Sequence, residues 1–331
     1  MKLTGVIGQC RALSQLQGEL EAQRLAHAYM FVGPGGVGRA TTAQALFVAM
    51  NCAEPTPAGP CGHCGPCHRL AAGTHEDFLV VAPPSQARSS QIKVEAVREA
   101  IRATGFAPFG GGKRMILIKQ AEHLNPASAN ALLKTLEEPP PNNILVLTVS
   151  DAKELLPTLV SRCRKVNFLP LTAEEIAAEL VRRGQDEADA RLKSGLAGGS
   201  LGRALEMDTE ALRRDLARLI DQLGAGGQAL EDWGFAEELV GAHRGSGGID
   251  REGISQALDL LALYFRDAAV SAAGRDGLTW LPGRTASLDI ESACRAFARV
   301  RRAQGQILGN AAPELALVVL LAGLKEAPTH A

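Results

Sequence analysis

Apolar positions change rhythm along the chain, and those changes divide it. Over residues 10–27, Leu13, Leu16 and Leu20 recur at helical spacing, which predicts an amphipathic helix. An unbroken apolar run, Ala28-Tyr29-Met30-Phe31-Val32, then predicts a buried strand over 29–32. The glycine-rich stretch GPGGVGRA follows at 33–40, and 41–50 reads as a helix. Residues 78–82, 115–118 and 144–149 are short, branched apolar runs without alternation. Such runs suit strands buried on both faces of a parallel sheet. Helical patterns lie between them at 92–104 and 126–138, the second halted by Pro139-Pro140-Pro141. Alternating strands and helices predict an α/β first half.

After Pro170 the strand pattern stops. Residues 173–183 and 186–196 read as helices, and Gly198-Gly199-Ser200-Leu201-Gly202 as a turn that opens another short helix. From about 209 the chain reads as helical, broken at 224–227, 241–248 and 274–283. A length of 331 residues suggests two or three domains, and 46 % hydrophobic residues suffice for a sizeable core. A formal charge of −1 supplies no global positive field, so any DNA contact is local. Aromatics at 4 % argue against a surface built to stack single-stranded bases. The first ten residues carry no apolar signal core, and the late apolar run at 315–324 is too short to span a bilayer. A soluble, cytoplasmic protein with no membrane partner is expected.

The glycine stretch has the outline of a phosphate loop, G-x-x-x-x-G-K-[ST], in the strand–loop–helix setting that such a loop needs. In a working loop, backbone N–H groups cradle phosphate, lysine reaches the β/γ oxygens and a hydroxyl holds Mg²⁺. Gly33, Gly35, Gly36 and Gly38 keep the cradle possible. Arg39 replaces the lysine, Ala40 has no ligand atom, and Thr41 points roughly 100° away around the helix. After the strand at 115–118, where a hydrolase needs a metal carboxylate and a base, this chain has Lys119 and Gln120. Glu122 and His123 stand too far along to replace them without a register shift. Loss of all four groups removes the means of hydrolysis. The plainer reading is a strand–helix turn that is simply glycine-rich.

Cys52, Cys61, Cys64 and Cys67 follow C-x8-C-x2-C-x2-C within a Cys-, Gly- and Pro-rich insertion at 51–75. Four thiolates suit a closed tetrahedral Zn²⁺ site, which would order a segment with almost no apolar core. Free thiols, two disulfides or an iron–sulfur cluster are the alternatives. His63 and His68 are substitute ligands or plain loop residues. Cys10, Cys163 and Cys294 read as small buried apolar residues.

HAYMFVGPGGVGRA, ANALLKTLEEPPPN, LLPTLVSRCRKV and the cysteine quartet together resemble the clamp-loader subunits of bacterial DNA polymerase III, of the AAA+ class. The resemblance runs from Val6-Ile7-Gly8-Gln9 to 310–317, a stretch similar to the family's collar segment; 209–300 match only in being helical. It implies an AAA+ P-loop-type parallel-sheet domain at 1–168 with the zinc insertion at 51–75, a small helical lid at 169–208, and an all-helical collar at 209–331. The family holds ATP-hydrolysing motors and a related non-hydrolysing subunit, and the losses at 39, 40, 119 and 120 resemble the latter. Motors also carry G-S-x-R in the lid, whereas Gly199-Ser200-Leu201 is followed here by Gly202, with Arg203 one position late.

On this resemblance, Ser161-Arg162-Cys163 would project Arg162 across a subunit interface toward a neighbour's ATP. An arginine finger is worth about 10³–10⁵ in rate. Otherwise Arg162 is one more surface arginine beside Arg164 and Lys165. Leu132, Leu133 and Leu136 read as core, while Ser128, Asn130 and Lys134 would meet DNA phosphate or solvent. The implied partners are gamma/tau and delta subunits in a heteropentamer, the sliding clamp, and primed DNA through the assembly. ATP would be bound by the neighbours, with no ATPase activity in this chain alone. Apolar helices at 254–269, 293–307 and 314–324 would bury against partner subunits, or partly form internal core. The alternatives are a motor subunit of the same ring and a stand-alone zinc-dependent nucleic-acid-binding protein.

Overall fold

The computed structural model describes residues 2–84, 91–225, 229–245, 248–281 and 288–325. Parts of the expected glycine breaks at 224–227, 241–248 and 274–283 lie outside these residues. The chain forms two compact units, Met1–Glu179 with Gly199–Arg203, and Leu180–Gly198 with Ala204–Ala331.

The first unit is built on a five-stranded sheet of β1 (Ala28–Val32), β2 (Phe78–Val81), β3 (Arg114–Ile118), β4 (Asn143–Val149) and β5 (Arg164–Asn167). The strands run in the order β2-β3-β4-β1-β5, all parallel, with Met30 opposite Leu147 and Ile116 opposite Leu145. Parallel strands covered on both faces need apolar residues at successive positions, and β3 is buried throughout. Tyr29, Phe31 and Leu46 lie in one core cluster, and Met30, Leu132 and Leu147 in another, so alternate residues of β1 serve different cores. The helices are α1 (Cys10–Glu21), α2 (Arg39–Asn51), α3 (Gly65–Ala71), α4 (Val94–Thr104), α5 (Pro126–Glu137), α6 (Pro157–Val160) and most of α7 (Ala173–Arg182). This all-parallel, helix-covered sheet is the α/β first half that the strand–helix alternation predicts.

Several boundaries moved for local reasons. The first helix stops at Glu21 rather than reaching 27, because Ala22 and Arg24 donate back to Gly18 and Glu19 around a left-handed Gln23. Ile92 does not begin α4; its N–H donates to the His123 carbonyl and it bridges Leu124. The strand β5 was not expected, since in Arg-Lys-Val-Asn only Val166 is buried and an edge strand carries no continuous apolar run.

The second unit holds α8 (Glu187–Leu196), the second half of α9 (Leu201–Glu206), α10 (Thr209–Gly224), α11 (Ala229–Ala242), α12 (Arg251–Ala272), α13 (Ile290–Leu308) and α14 (Pro313–Lys325). In α12, Ile254, Leu258, Leu261 and Phe265 recur every three or four residues and are buried. They belong to the same packed unit as Ala293, Val300 and Ile307 of α13 and Leu317 and Leu321 of α14. These stripes are internal core, the second of the two readings that the sequence leaves open. The apolar side chains that α14 leaves exposed are Leu315 and Val319.

Candidate functional site

The glycine loop leaves β1 at Gly33 and enters α2 at Arg39. Gly36 takes φ +70°, and its carbonyl accepts a 3.0 Å hydrogen bond from the Gly202 N–H. A Cβ on Gly36 would stand 2.0 Å from Ser200 Oγ, so only glycine lets the turn at 199–202 sit on the loop. Ser200 Oγ in turn accepts from the Arg203 N–H at 3.1 Å. On the other side, Gln9 holds the loop through Nε2 to the Val37 carbonyl at 3.3 Å and to the Leu169 carbonyl at 2.6 Å. A cavity of about 870 Å³ opens beside Gly33, walled by residues that include Gln9, Arg11, Phe168 and Glu175.

Arg39 is only 8 % exposed, and its Nη1 has no hydrogen-bond partner. Burial lowers its pKa, opposed by the nearby Glu122 carboxylate. By sequence position Glu122 stands too far along to replace the acidic pair without a register shift. It cannot replace a metal ligand from there, yet its charge reaches the arginine, and Ser150 Oγ donates to it at 2.9 Å. Thr41 is exposed, while the Thr42 hydroxyl is spent on the Gly38 carbonyl at 2.8 Å. At the end of β3, the Lys119 N–H donates to Val81 and the Gln120 N–H to Thr148 Oγ1. Neither side chain offers a carboxylate.

Arg162 lies on the turn between α6 and β5. The buried Leu159 anchors this turn in the same core cluster as Leu136 of α5. Its guanidinium donates from Nη2 to Glu137 Oε1 at 2.7 Å and from Nη1 to the Thr158 carbonyl at 3.0 Å. The arginine side chain remains 35 % exposed. Sequence reasoning missed Glu137 as its partner; an acidic residue at a helix C-terminus, against the dipole, was the available signal. On the same helix Ser128 is fully buried and donates to the Ile92 carbonyl, which removes it from any DNA-facing set; Asn130 and Lys134 are exposed.

The four insertion cysteines converge, each Sγ within 4.8 Å of the others. Cys52 and Cys61 sulfurs are 3.6 Å apart, Cys64 and Cys52 3.9 Å, and Cys61 and Cys67 4.0 Å. A tetrahedron with metal–sulfur bonds of about 2.3 Å has edges of about 3.8 Å, so the quartet fits zinc. Disulfides need about 2.05 Å and do not fit. The Cys61 and Cys64 N–H groups also donate to the sulfurs of Cys52 and Cys61, the kind of support that thiolate ligands use. His63 is turned to Glu54 at 3.0 Å and to the Cys61 carbonyl, and His68 is exposed. Cys10 and Cys294 are exposed rather than buried, each at an outward position of its helix. Cys163 is largely buried, and burial pushes its thiol up to about 12. No described helix is long and apolar enough to cross a membrane.

The DNA polymerase III, delta subunit family matches residues 8–172. DNA polymerase III subunit delta' of Pseudomonas aeruginosa is 35 % identical over 211 residues, 63 % of this chain and 62 % of that protein. The delta' subunit of Bacillus subtilis is 32 % identical, covering 57 % of this chain and 56 % of its own length. The tau subunit of Escherichia coli is 33 % identical over 62 % of this chain and 32 % of its own length. The matched region thus spans less than two thirds of these relatives. Overall identity does not separate delta' from tau.

Proposed function

The chain belongs to the DNA polymerase III, delta subunit family, and we propose that it serves as the non-hydrolysing, delta prime type of clamp-loader subunit. In this role it sits in a heteropentamer with gamma/tau and delta subunits and helps ATP-dependent loading of a sliding clamp onto primed DNA. The observation that carries this reading is a contrast within one sheet. Where Mg-ATP would be handled, the chain offers Arg39, buried, with Ala40, Lys119 and Gln120. After α6 it offers a half-exposed Arg162 on a turn anchored by the buried Leu159.

The residues divide the labour accordingly. Turnover needs a metal held by a hydroxyl and a carboxylate, and a base for the attacking water. None of these stands at positions 40, 119 or 120. Hydrogen bonding of Gly202 to Gly36 further occupies the loop with its own chain. A guanidinium, planar and always charged, supplies what a neighbour's triphosphate lacks as charge builds on the transferred phosphoryl. Residues 169–208 act as the lid and 209–331 as the collar. Cys52, Cys61, Cys64 and Cys67 hold one structural Zn²⁺, which with four protein ligands has no open position for catalysis.

The experiment is reconstitution with gamma/tau and delta subunits. Arg162→Ala should leave the complex assembled and sharply lower its ATPase, with turnover at the one site that Arg162 faces down by about 10³-fold or more. An unchanged rate removes the trans role. A motor reading is favoured instead if the purified chain itself turns over ATP.

A further inference from the structure

Glu137 is the last residue of α5, followed by Glu138 at the C-cap and then by prolines. Two carboxylates at the negative end of a helix are unfavourable by the dipole alone. Lys134, one turn earlier, could relieve them, but the bond that Glu137 makes is to Arg162 at 2.7 Å. Sequence-distant elements therefore spend a locally unfavourable residue on holding one guanidinium. A conflict of this kind between local rule and observed residue marks a functional position.

Both ends of the pair are mounted on packed chain. Leu136 beside Glu137 is 4 % exposed and Leu159 is fully buried, in one cluster that Val160 and Cys163 also join. The Glu138 N–H closes α5 on the Lys134 carbonyl, and the Arg162 N–H donates to the Leu159 carbonyl. The backbone on either side of the pair is thus fixed. Of the five N–H bonds of a guanidinium, one is given to Glu137, one to the Thr158 carbonyl, and a long 3.5 Å contact reaches Ser161 Oγ. At least two N–H bonds are left for an outside anion.

We propose that Glu137 is the positioning residue of Arg162: it fixes the orientation of the guanidinium before the neighbour's phosphate arrives, acting through Arg162 and touching no substrate. This rests on the trans role proposed above. The benefit is entropic. A free arginine side chain has many rotamers to lose, and misplacement of a catalytic group by about 1 Å costs about 10²-fold. The bond is a half-exposed ion pair, worth little to folding, so its loss should be read in rate and not in stability.

The test uses the reconstituted clamp loader with sliding clamp and primed DNA, and reads kcat and KM for ATP. Glu137→Ala should lower kcat about tenfold, with KM and the thermal midpoint of this chain unchanged, and Glu137→Asp should recover part of the loss. In the Arg162→Ala background, Glu137→Ala should add nothing. Normal kcat in Glu137→Ala beside a large Arg162→Ala defect overturns the positioning role and leaves the trans role standing. A raised kcat overturns it as well, since Glu137 would then restrain the finger. A defect that persists without Arg162, or that tracks lost assembly, assigns Glu137 to structure instead. No effect from Arg162→Ala itself is the separate failure of the underlying reading.

Discussion

Replacing Arg114 by methionine should be among the costliest single changes in the sheet unit. Arg114 begins β3 with its side chain 8 % exposed, facing Asp77 at 3 %. Its Nε and Nη2 reach Asp77 Oδ1 at 3.1 and 2.9 Å, while Nη1 and Nη2 donate to the carbonyls of Ala103, Phe106 and Ala107. Asp77 in turn accepts from the Phe109 and Gly110 N–H groups at 3.1 and 3.2 Å. Methionine fills similar space but leaves a buried carboxylate with only those two donors. Breaking one side of a buried pair costs about 3–5 kcal/mol. For a unit of this size each kcal/mol moves the melting temperature about 2–4 °C, so Arg114→Met should lower it by about 6–20 °C. The double variant Asp77→Ala/Arg114→Met should cost less than the two single changes together, because no charge is then stranded. Calorimetry on the three variants decides this. A loss under about 1 kcal/mol for Arg114→Met, or strict additivity, would refute the reasoning.

Cys64→Ser should lower bound zinc and the stability of the insertion together; one zinc per chain with full thermal stability would show that the ligand set is wrong. In the helical unit, His243 Nε2 lies 2.8 Å from Asp215 Oδ2, and that hydrogen bond, against a smaller opposing effect of burial, raises the His243 pKa above its usual 6.5. A raised folded pKa contributes stability that is full below about 6.5 and is lost as pH rises through the folded value. Urea midpoints measured across that window should fall toward alkaline pH, and Asp215→Asn should flatten the fall. Tyr29→Phe removes the 2.6 Å bond from the buried phenol to Glu19 and should cost about 1–3 kcal/mol in chemical denaturation.

Much of the sheet was legible because β1, β3 and β4 are buried on both faces and carry unbroken apolar runs, Ala28–Val32, Met115–Ile118 and Ile144–Leu147. β5 was not, since one buried valine among Arg164, Lys165 and Asn167 leaves no pattern to read. The cysteine quartet was legible from spacing, because short-range C-x2-C geometry forces convergence. Arg162 could be named from its motif, but Glu137 could not, since its partner lies 25 residues away and only the packed fold brings them together. The same limit hid the bond from Gly202 to Gly36 and the reach of Glu122 to Arg39. The helical stripes at 254–307 were visible as stripes; what they pack against is a tertiary fact that periodicity does not contain.

Steady-state phosphate release with Mg-ATP, by the purified chain alone and by the reconstituted complex carrying wild-type or Arg162→Ala chain, tests the central claim most directly. The chain alone should show no turnover, the wild-type complex full turnover and the variant complex a large loss. Magnesium-dependent phosphate release by this polypeptide on its own would contradict that claim.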